Sequence, residues 1–241
     1  MVVNATINNA LTADAIIPDI LPASTVVQRN LKVAFHNTTL TRPGQMIDRE
    51  ETHLKPTVFV DPPPEEDLLR HIYTILMVDP DLTSRNDTKY GQVRHWLISH
   101  CSISSAGEIL DVKGTTHSPW VGPAPLPVRN FTGKSKPHPS RYTFILCKSK
   151  IMPPQGSDIE VSKEMQIAES DQYAEIESDL GKPSQDLFDR WKFNTAQFLN
   201  DNNLEVVAAT YMLVEGNLKS GVANVGLFAN AIGHKFGEVG H

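Results

Sequence analysis

The chain has 241 residues, with 28 acidic side chains against 22 basic ones and a formal net charge of −6. Hydrophobic residues at 40% and charged ones at 21% exclude a wholly disordered chain. The acidic balance argues against sequence-independent nucleic-acid binding, which needs clustered Lys and Arg facing phosphates.

The length predicts one large domain, or one domain with extensions. No apolar run approaches the roughly 20 residues that span a bilayer, so no transmembrane segment is expected. The first residues lack the basic start and apolar stretch of a signal peptide, and a cytoplasmic protein is expected. Four Asn-x-Ser/Thr sequons, at Asn4, Asn37, Asn86 and Asn130, carry little weight for secretion. Cys101 and Cys147 are too few for a disulfide framework and are read as reduced residues in strands.

In chain order, residues 1–12 are small and polar and predict a frayed, flexible start. Ala13 to Leu21 has room for one helical turn before Pro18. Leu31 to Phe35 alternates apolar and polar residues, and Pro56 to Val60 is β-branched, so both read as strands. Arg42-Pro43-Gly44-Gln45 between them is a turn. Ile72 to Val78 is apolar nearly throughout, which predicts a central strand buried on both faces. Trp96-Leu97-Ile98 and Ile103 read as a strand pair, and Arg141 to Ser149 as another buried strand. Residues 113–139, rich in Gly, Pro, Ser and Thr, read as one long loop.

The C-terminal part changes character. Glu169 to Leu180 reads as a short helix or solvated face. Ser184 to Asn200 has helical spacing with Ser184 as a candidate N-cap. Val206 to Val214 reads as a final strand, and residues 216–233 as a last helix. The expected organisation is a flexible segment over 1–12, a domain over 13–215 and a helix or tail over 216–241. The element string is mostly β with C-terminal helices, and no alternating βαβ units suggest a doubly wound sheet.

Four clusters could carry chemistry. Asp79-Pro80-Asp81-Leu82-Thr83-Ser84-Arg85 follows the strongest strand, and it reads either as turn chemistry or as an acidic group orienting a histidine. Arg94-His95-Trp96 through His100 offers two imidazoles. Trp120 to Pro127 offers a rigid Gly/Pro-rich wall or a linker. Lys136-Pro137-His138-Pro139-Ser140-Arg141-Tyr142 places a cation, a hydroxyl and a phenol at a strand entry, donors suited to a phosphate or carboxylate. His95, His100 and Asp81 match no zinc-ligand spacing, and no metal or other cofactor is expected. No CxxC, HExxH, P-loop, GxGxxG or GxSxG motif occurs.

Taken in order, these clusters resemble the phosphatidylethanolamine-binding protein family. Asp79-Pro80-Asp81, Ser84-Arg85, Asp87, Tyr90 and His95-Trp96 follow its first signature without a gap. Gly122-Pro123-Ala124-Pro125 and Arg141-Tyr142 follow its second. The resemblance spans about residues 13–215 and implies a PEBP-like β-sandwich, a large antiparallel sheet against a smaller one, with C-terminal helices. It implies a surface pocket for a small anion, lined by Asp79, Asp81, His95, Gly122, Pro123, His138, Ser140 and Tyr142. Arg85, Trp96 and Arg141 take structural roles. A carboxylate beside His95 would raise its pKa toward the cation that an anion prefers. Thr83 and Thr88 replace prolines of the pattern, and Ser140 stands where it has a histidine, with His138 two residues earlier as a possible replacement.

Two functional expectations follow from the resemblance. One is a binding protein for phosphate, a phosphoryl head group or a dicarboxylate, acting in lipid binding or in regulating a serine carboxypeptidase or a kinase. The other is a cofactor-free enzyme or accessory protein of fungal secondary metabolism, coupling maleic-anhydride monomers into cyclic dimers (maleidrides), with His95 and Asp79 as the candidate catalytic groups.

Overall fold

The computed structural model describes residues 2–63, 71–81, 85, 91–125, 139–149, 159, 161 and 190–216. Helix α1, Val2–Ala13, is followed by the short turn α2, Ile16–Asp19. Among the described residues ten strands follow: β1 Asn30–Ala34, β2 Thr39–Leu40, β3 Gln45–Met46, β4 Thr57–Asp61, β5 Tyr73–Asp79, β6 Val93–Ile103, β7 Ile109–Leu110, β8 Thr115–Ser118, β9 Ser140–Ser149 and β10 Leu204–Val214. A 3-10 turn covers Arg49–Thr52, and helix α3, Thr195–Asp201, precedes the last strand.

The strands form two sheets. The smaller has order β2-β1-β4. The larger has order β3-β10-β9-β5-β6-β7, with β8 also paired to β6. All its pairings are antiparallel except β3 with β10, so the sheet is mixed rather than antiparallel throughout.

The periodicity of the central strands has a physical cause. Successive strand residues point to opposite faces, and here both faces are covered. Tyr73, Ile75 and Met77 of β5, with Tyr142, Phe144 and Leu146 of β9, pack against Leu31, Val33, Val58 and Val60 of the smaller sheet. Leu76, Val78, Ile145 and Cys147 on the other face pack against Ile7, Leu11, Ile16 and Ile20 from the N-terminus, and against Phe198 and Leu199 of α3. A strand buried on both sides has no polar face to alternate with. The expected central strand is therefore β5, buried at every position. Cys101 and Cys147 are free and buried.

Several expectations are corrected. Within the segment expected to be frayed, residues 2–12 belong to α1, which docks through fully covered Leu11 and nearly covered Ile7. Trp96 and Ile103 lie on one 11-residue strand, β6, not on two. The loop expected over 113–139 contains strand β8. Of the helix expected from Ser184 to Asn200, residues 184–189 lie outside the described residues; in the described part the helix begins at Thr195, where the Asn194 side chain accepts from the Gln197 N–H. Before it, Lys192 adopts φ +50 and Phe193 bridges to Gln92. The expected elements at 169–180 and 216–233 lie outside the described residues, apart from Gly216.

Candidate functional site

The C-terminal end of β5, the start of β6 and the start of β9 meet at one edge of the larger sheet. In β5 and β9 the register pairs Val78 with Thr143, which brings Asp79 beside Tyr142. In β5 and β6 the register shifts between Met77/Trp96 and Val78/Arg94, leaving His95 as the extra residue of a bulge. A bulge re-aims a side chain that regular alternation would send elsewhere. The His95 ring stands edge-on to Tyr142, with centroids 5.2 Å apart.

A strap over residues 119–125 closes this corner. The Val121 carbonyl lies 3.1 Å from His95 Nδ1. A carbonyl only accepts, so Nδ1 carries the proton and the neutral ring keeps its lone pair at Nε2. The Ala124 N–H donates to the Tyr142 hydroxyl at 3.2 Å. Buried Arg49 donates through Nε to the Pro123 carbonyl at 3.2 Å, and Trp120 donates through Nε1 to the Thr52 carbonyl at 3.3 Å. Gly122 is required where it sits: a Cβ there would lie 2.6 Å from the Thr52 carbonyl oxygen.

Electrostatics in this corner run against the expected imidazolium. Asp79 is buried, and desolvation first, then the Asp81 charge, push its carboxyl up to about 7. The Asp81 N–H, 2.7 Å from Asp79 Oδ1, and a hydrogen bond with Tyr142 offset part of that rise. Burial lowers His95 to about 4, and the Arg190 charge adds to the drop against the opposing Val121 and Gly122 backbone bonds. The expectation that a neighbouring carboxylate raises His95 is thus corrected. Desolvation outweighs any carboxylate attraction, and Asp79 bonds to Tyr142 and Asp81. The Tyr142 hydroxyl is pushed well above its ordinary value, by burial first and then by the Asp79 charge.

The remaining candidates separate into supports and bystanders. Asp81 does not face His95. It holds Arg141 through three contacts of 2.7–3.0 Å, from the backbone N–H, Nε and Nη2. Arg141 Nη1 also reaches the Asp14 carbonyl and Asp19 Oδ2. The Arg141 guanidinium is therefore committed to the N-terminal side and is not an anion donor at the corner. Arg85 pairs with Asp14 Oδ1 at 3.2 Å. Trp96 packs in the core between the sheets, edge-on to Trp120. Ser140 is buried at the start of β9, paired with Val214. His138 lies outside the described residues.

A cavity of about 370 Å³ lies beside the Asp79–Asp81 turn, lined by Asp19, Pro80, Arg85, Gln92, Arg141 and Phe193 among others. Sequence reasoning missed the parts of the corner that are backbone, the Val121 carbonyl and the Ala124 N–H, because backbone groups leave no residue signature. It also missed Arg190, which is buried and donates from Nη1 to the His95 carbonyl at 3.0 Å and the Pro119 carbonyl at 2.8 Å. That guanidinium locks the strap to β6.

Known proteins share this architecture. The fold is similar to that of a carboxypeptidase Y inhibitor solved in complex with its cognate proteinase, with 20% identity, a TM-score of 0.61 and 88% and 96% of the two chains covered. It is also similar to a phosphatidylethanolamine-binding protein from Plasmodium vivax, with 19% identity, a TM-score of 0.57 and 87% and 97% covered. In sequence, the uncharacterized protein YLR179C of Saccharomyces cerevisiae is 26% identical over 193 residues, which is 77% of this chain and 81% of that protein. The family model for phosphatidylethanolamine-binding proteins matches residues 30–209, a span that contains the Asp79 turn, the His95 bulge, the strap and Tyr142, and the chain belongs to that family.

Proposed function

We propose that this protein is a binding and regulatory member of its family that takes a small acid, a carboxylic or phosphoryl head group, at the corner formed by Asp79, His95, the strap and Tyr142. The observation that carries this reading is the convergence of three buried polar side chains and a strap on one sheet edge, with two of them shifted toward their neutral forms. Such perturbed groups gather at functional sites. A protonated Asp79 donates a hydrogen bond to a ligand oxygen, where an ionised one repels it. An anion bound beside Asp79 raises its pKa further, so binding takes up a proton. Affinity then falls about tenfold per pH unit above 7.

The test is calorimetry at pH 6 and pH 8 with phosphate, phosphoethanolamine, citrate and a dialkylmaleic diacid. Tighter binding at pH 6, lost in His95→Ala and made independent of pH in Asp79→Asn, is expected. Equal affinity for wild type and His95→Ala sinks the site. Regulation of a proteinase is tested by inhibition of carboxypeptidase Y with the purified chain.

One observation favours a second reading, the coupling of maleic-anhydride monomers into maleidrides. A neutral imidazole with its lone pair at Nε2, near a carboxyl that holds a proton, is a base and an acid in one site. Coupled product formed from alkylated maleic anhydrides, and absent with His95→Ala, would establish turnover. Diacid binding without product would leave the binding function alone.

A further inference from the structure

The side chains of the Asp79 corner offer lone pairs more readily than protons. His95 Nδ1 donates to the Val121 carbonyl at 3.1 Å, and the Val121 N–H returns a bond of 3.0 Å to the His95 carbonyl. This reciprocal pair fixes the tautomer and makes Nε2 of the neutral ring an acceptor. Burial of His95, at 7% exposure, disfavours the imidazolium that would turn Nε2 into a donor. So does the Arg190 guanidinium, which donates to the His95 carbonyl at 3.0 Å. The neighbouring donors are committed. The Ala124 N–H goes to the Tyr142 hydroxyl, the Asp81 N–H goes to Asp79, and Arg141 turns to Asp81, Asp14 and Asp19. Tyr142 also bonds to Asp79. When Asp79 is ionised, it takes the Tyr142 proton, and the three side chains present only lone pairs. When Asp79 is protonated, one proton becomes available from that pair, and Nε2 is still an acceptor. In both states the His95 lone pair needs a proton that the ligand itself brings.

That requirement sorts the small acids. Sulfates, phosphodiesters and ionised carboxylates carry no proton and only accept. Against Nε2 they set lone pair against lone pair, and a buried acceptor goes unpaired. A carboxylic acid that kept its proton would serve, but carboxyls ionise above about pH 4. A phosphate monoester loses its second proton only near pH 6, so about half of it is then a monoanion with one P–OH. That hydroxyl donates to Nε2, while another phosphoryl oxygen accepts the proton from the Asp79–Tyr142 pair. Resting on the assignment of the corner as an acid site, we propose that it takes phosphate monoesters in their singly protonated form, through a P–OH donated to His95 Nε2, in preference to sulfates, phosphodiesters and carboxylates.

The test is calorimetry on the full chain at pH 6 with methyl phosphate, methyl sulfate, dimethyl phosphate and acetate. The methyl phosphate monoanion and methyl sulfate match in shape and charge and differ by one proton. Methyl phosphate should bind at least about tenfold more tightly than each of the other three. His95→Gln replaces the imidazole by an amide that turns either its N–H or its carbonyl to the ligand, and it should remove most of that preference. Methyl sulfate bound as tightly as methyl phosphate overturns the need for a ligand proton and leaves the acid site standing. Binding of none of the four overturns the acid site and this assignment with it. A preference that persists unchanged in a folded His95→Gln places the discrimination elsewhere and overturns it too. The comparison of ligands on the wild-type chain decides the matter by itself if the glutamine variant fails to fold.

Discussion

Asp79 and His95 make opposite contributions to stability, because burial shifts each toward its neutral form. An unfolded aspartate ionises near 3.8, whereas Asp79 in the fold does so near 7. Between those values the folded state keeps a proton that the unfolded chain has lost. Its contribution therefore falls as pH rises through 4–7 and is flat above. His95 ionises near 6.5 unfolded and near 4 in the fold. Between those values only the unfolded chain holds the proton, so this contribution is lost as pH falls from 6.5 to 4. Each slope is at most about 1.4 kcal/mol per pH unit, and over the shared window they oppose each other. Relative to wild type, Asp79→Asn should therefore make stability rise more steeply with pH between 4.5 and 6.5, and His95→Gln should make it fall. Urea midpoints at pH 4.5, 5.5 and 6.5 check this, and changes of the same sign in both variants would falsify the assignment.

The strap and the His95 bulge are the elements that convert a sandwich edge into a site. Gly122→Ala drives a methyl toward the Thr52 carbonyl and lifts the carbonyl and N–H that hold His95 and Tyr142. Overpacking of this kind costs about 1–3 kcal/mol. Losing about one hydrogen bond's worth of positioning weakens acid binding about tenfold. Calorimetry and a thermal melt should show both effects, and an unchanged melt with unchanged affinity would show that the strap does not touch Thr52. This element also marks where the sequence stops being legible. The strands and the Asp79, His95 and Tyr142 positions are readable because side-chain pattern carries them, apolar runs in one case and a family signature in the other. Three things leave no such pattern: the register shift that aims His95, the backbone partners in the strap, and the burial that reverses the expected charge of His95. Those depend on which strands become neighbours. Strand β8 is illegible in the sequence for a related reason, since Thr115 to Ser118 has no apolar alternation and exists by pairing with β6. The docked α1 was hidden because a helix that buries only a narrow stripe can be polar elsewhere.

At the scale of the molecule, the two hydrophobic layers share the same strands. The layer between the sheets and the layer beneath the N-terminal helix take alternate residues of β5 and β9. Neither layer can loosen without exposing the back of strands that the other needs. Buried Arg141 strengthens the link, because it ties the Asp14 carbonyl and the exposed Asp19 carboxylate on the N-terminal side to Asp81, whose N–H holds Asp79. The described fold should therefore unfold as one cooperative unit. Leu31→Ala lies in the first layer and Leu11→Ala in the second, both at fully covered positions. Each truncation should cost about 2–5 kcal/mol. At about 2–4 °C per kcal/mol for a chain of this size, both should lower the same single transition by roughly 5–15 °C. Calorimetric scans of the two variants decide the matter. If Leu11→Ala instead splits off an early transition and leaves the main one in place, the N-terminal helix is an independent appendage. The Asp14 and Asp19 contacts that follow it would then carry the link from the N-terminal segment to the Asp79 corner.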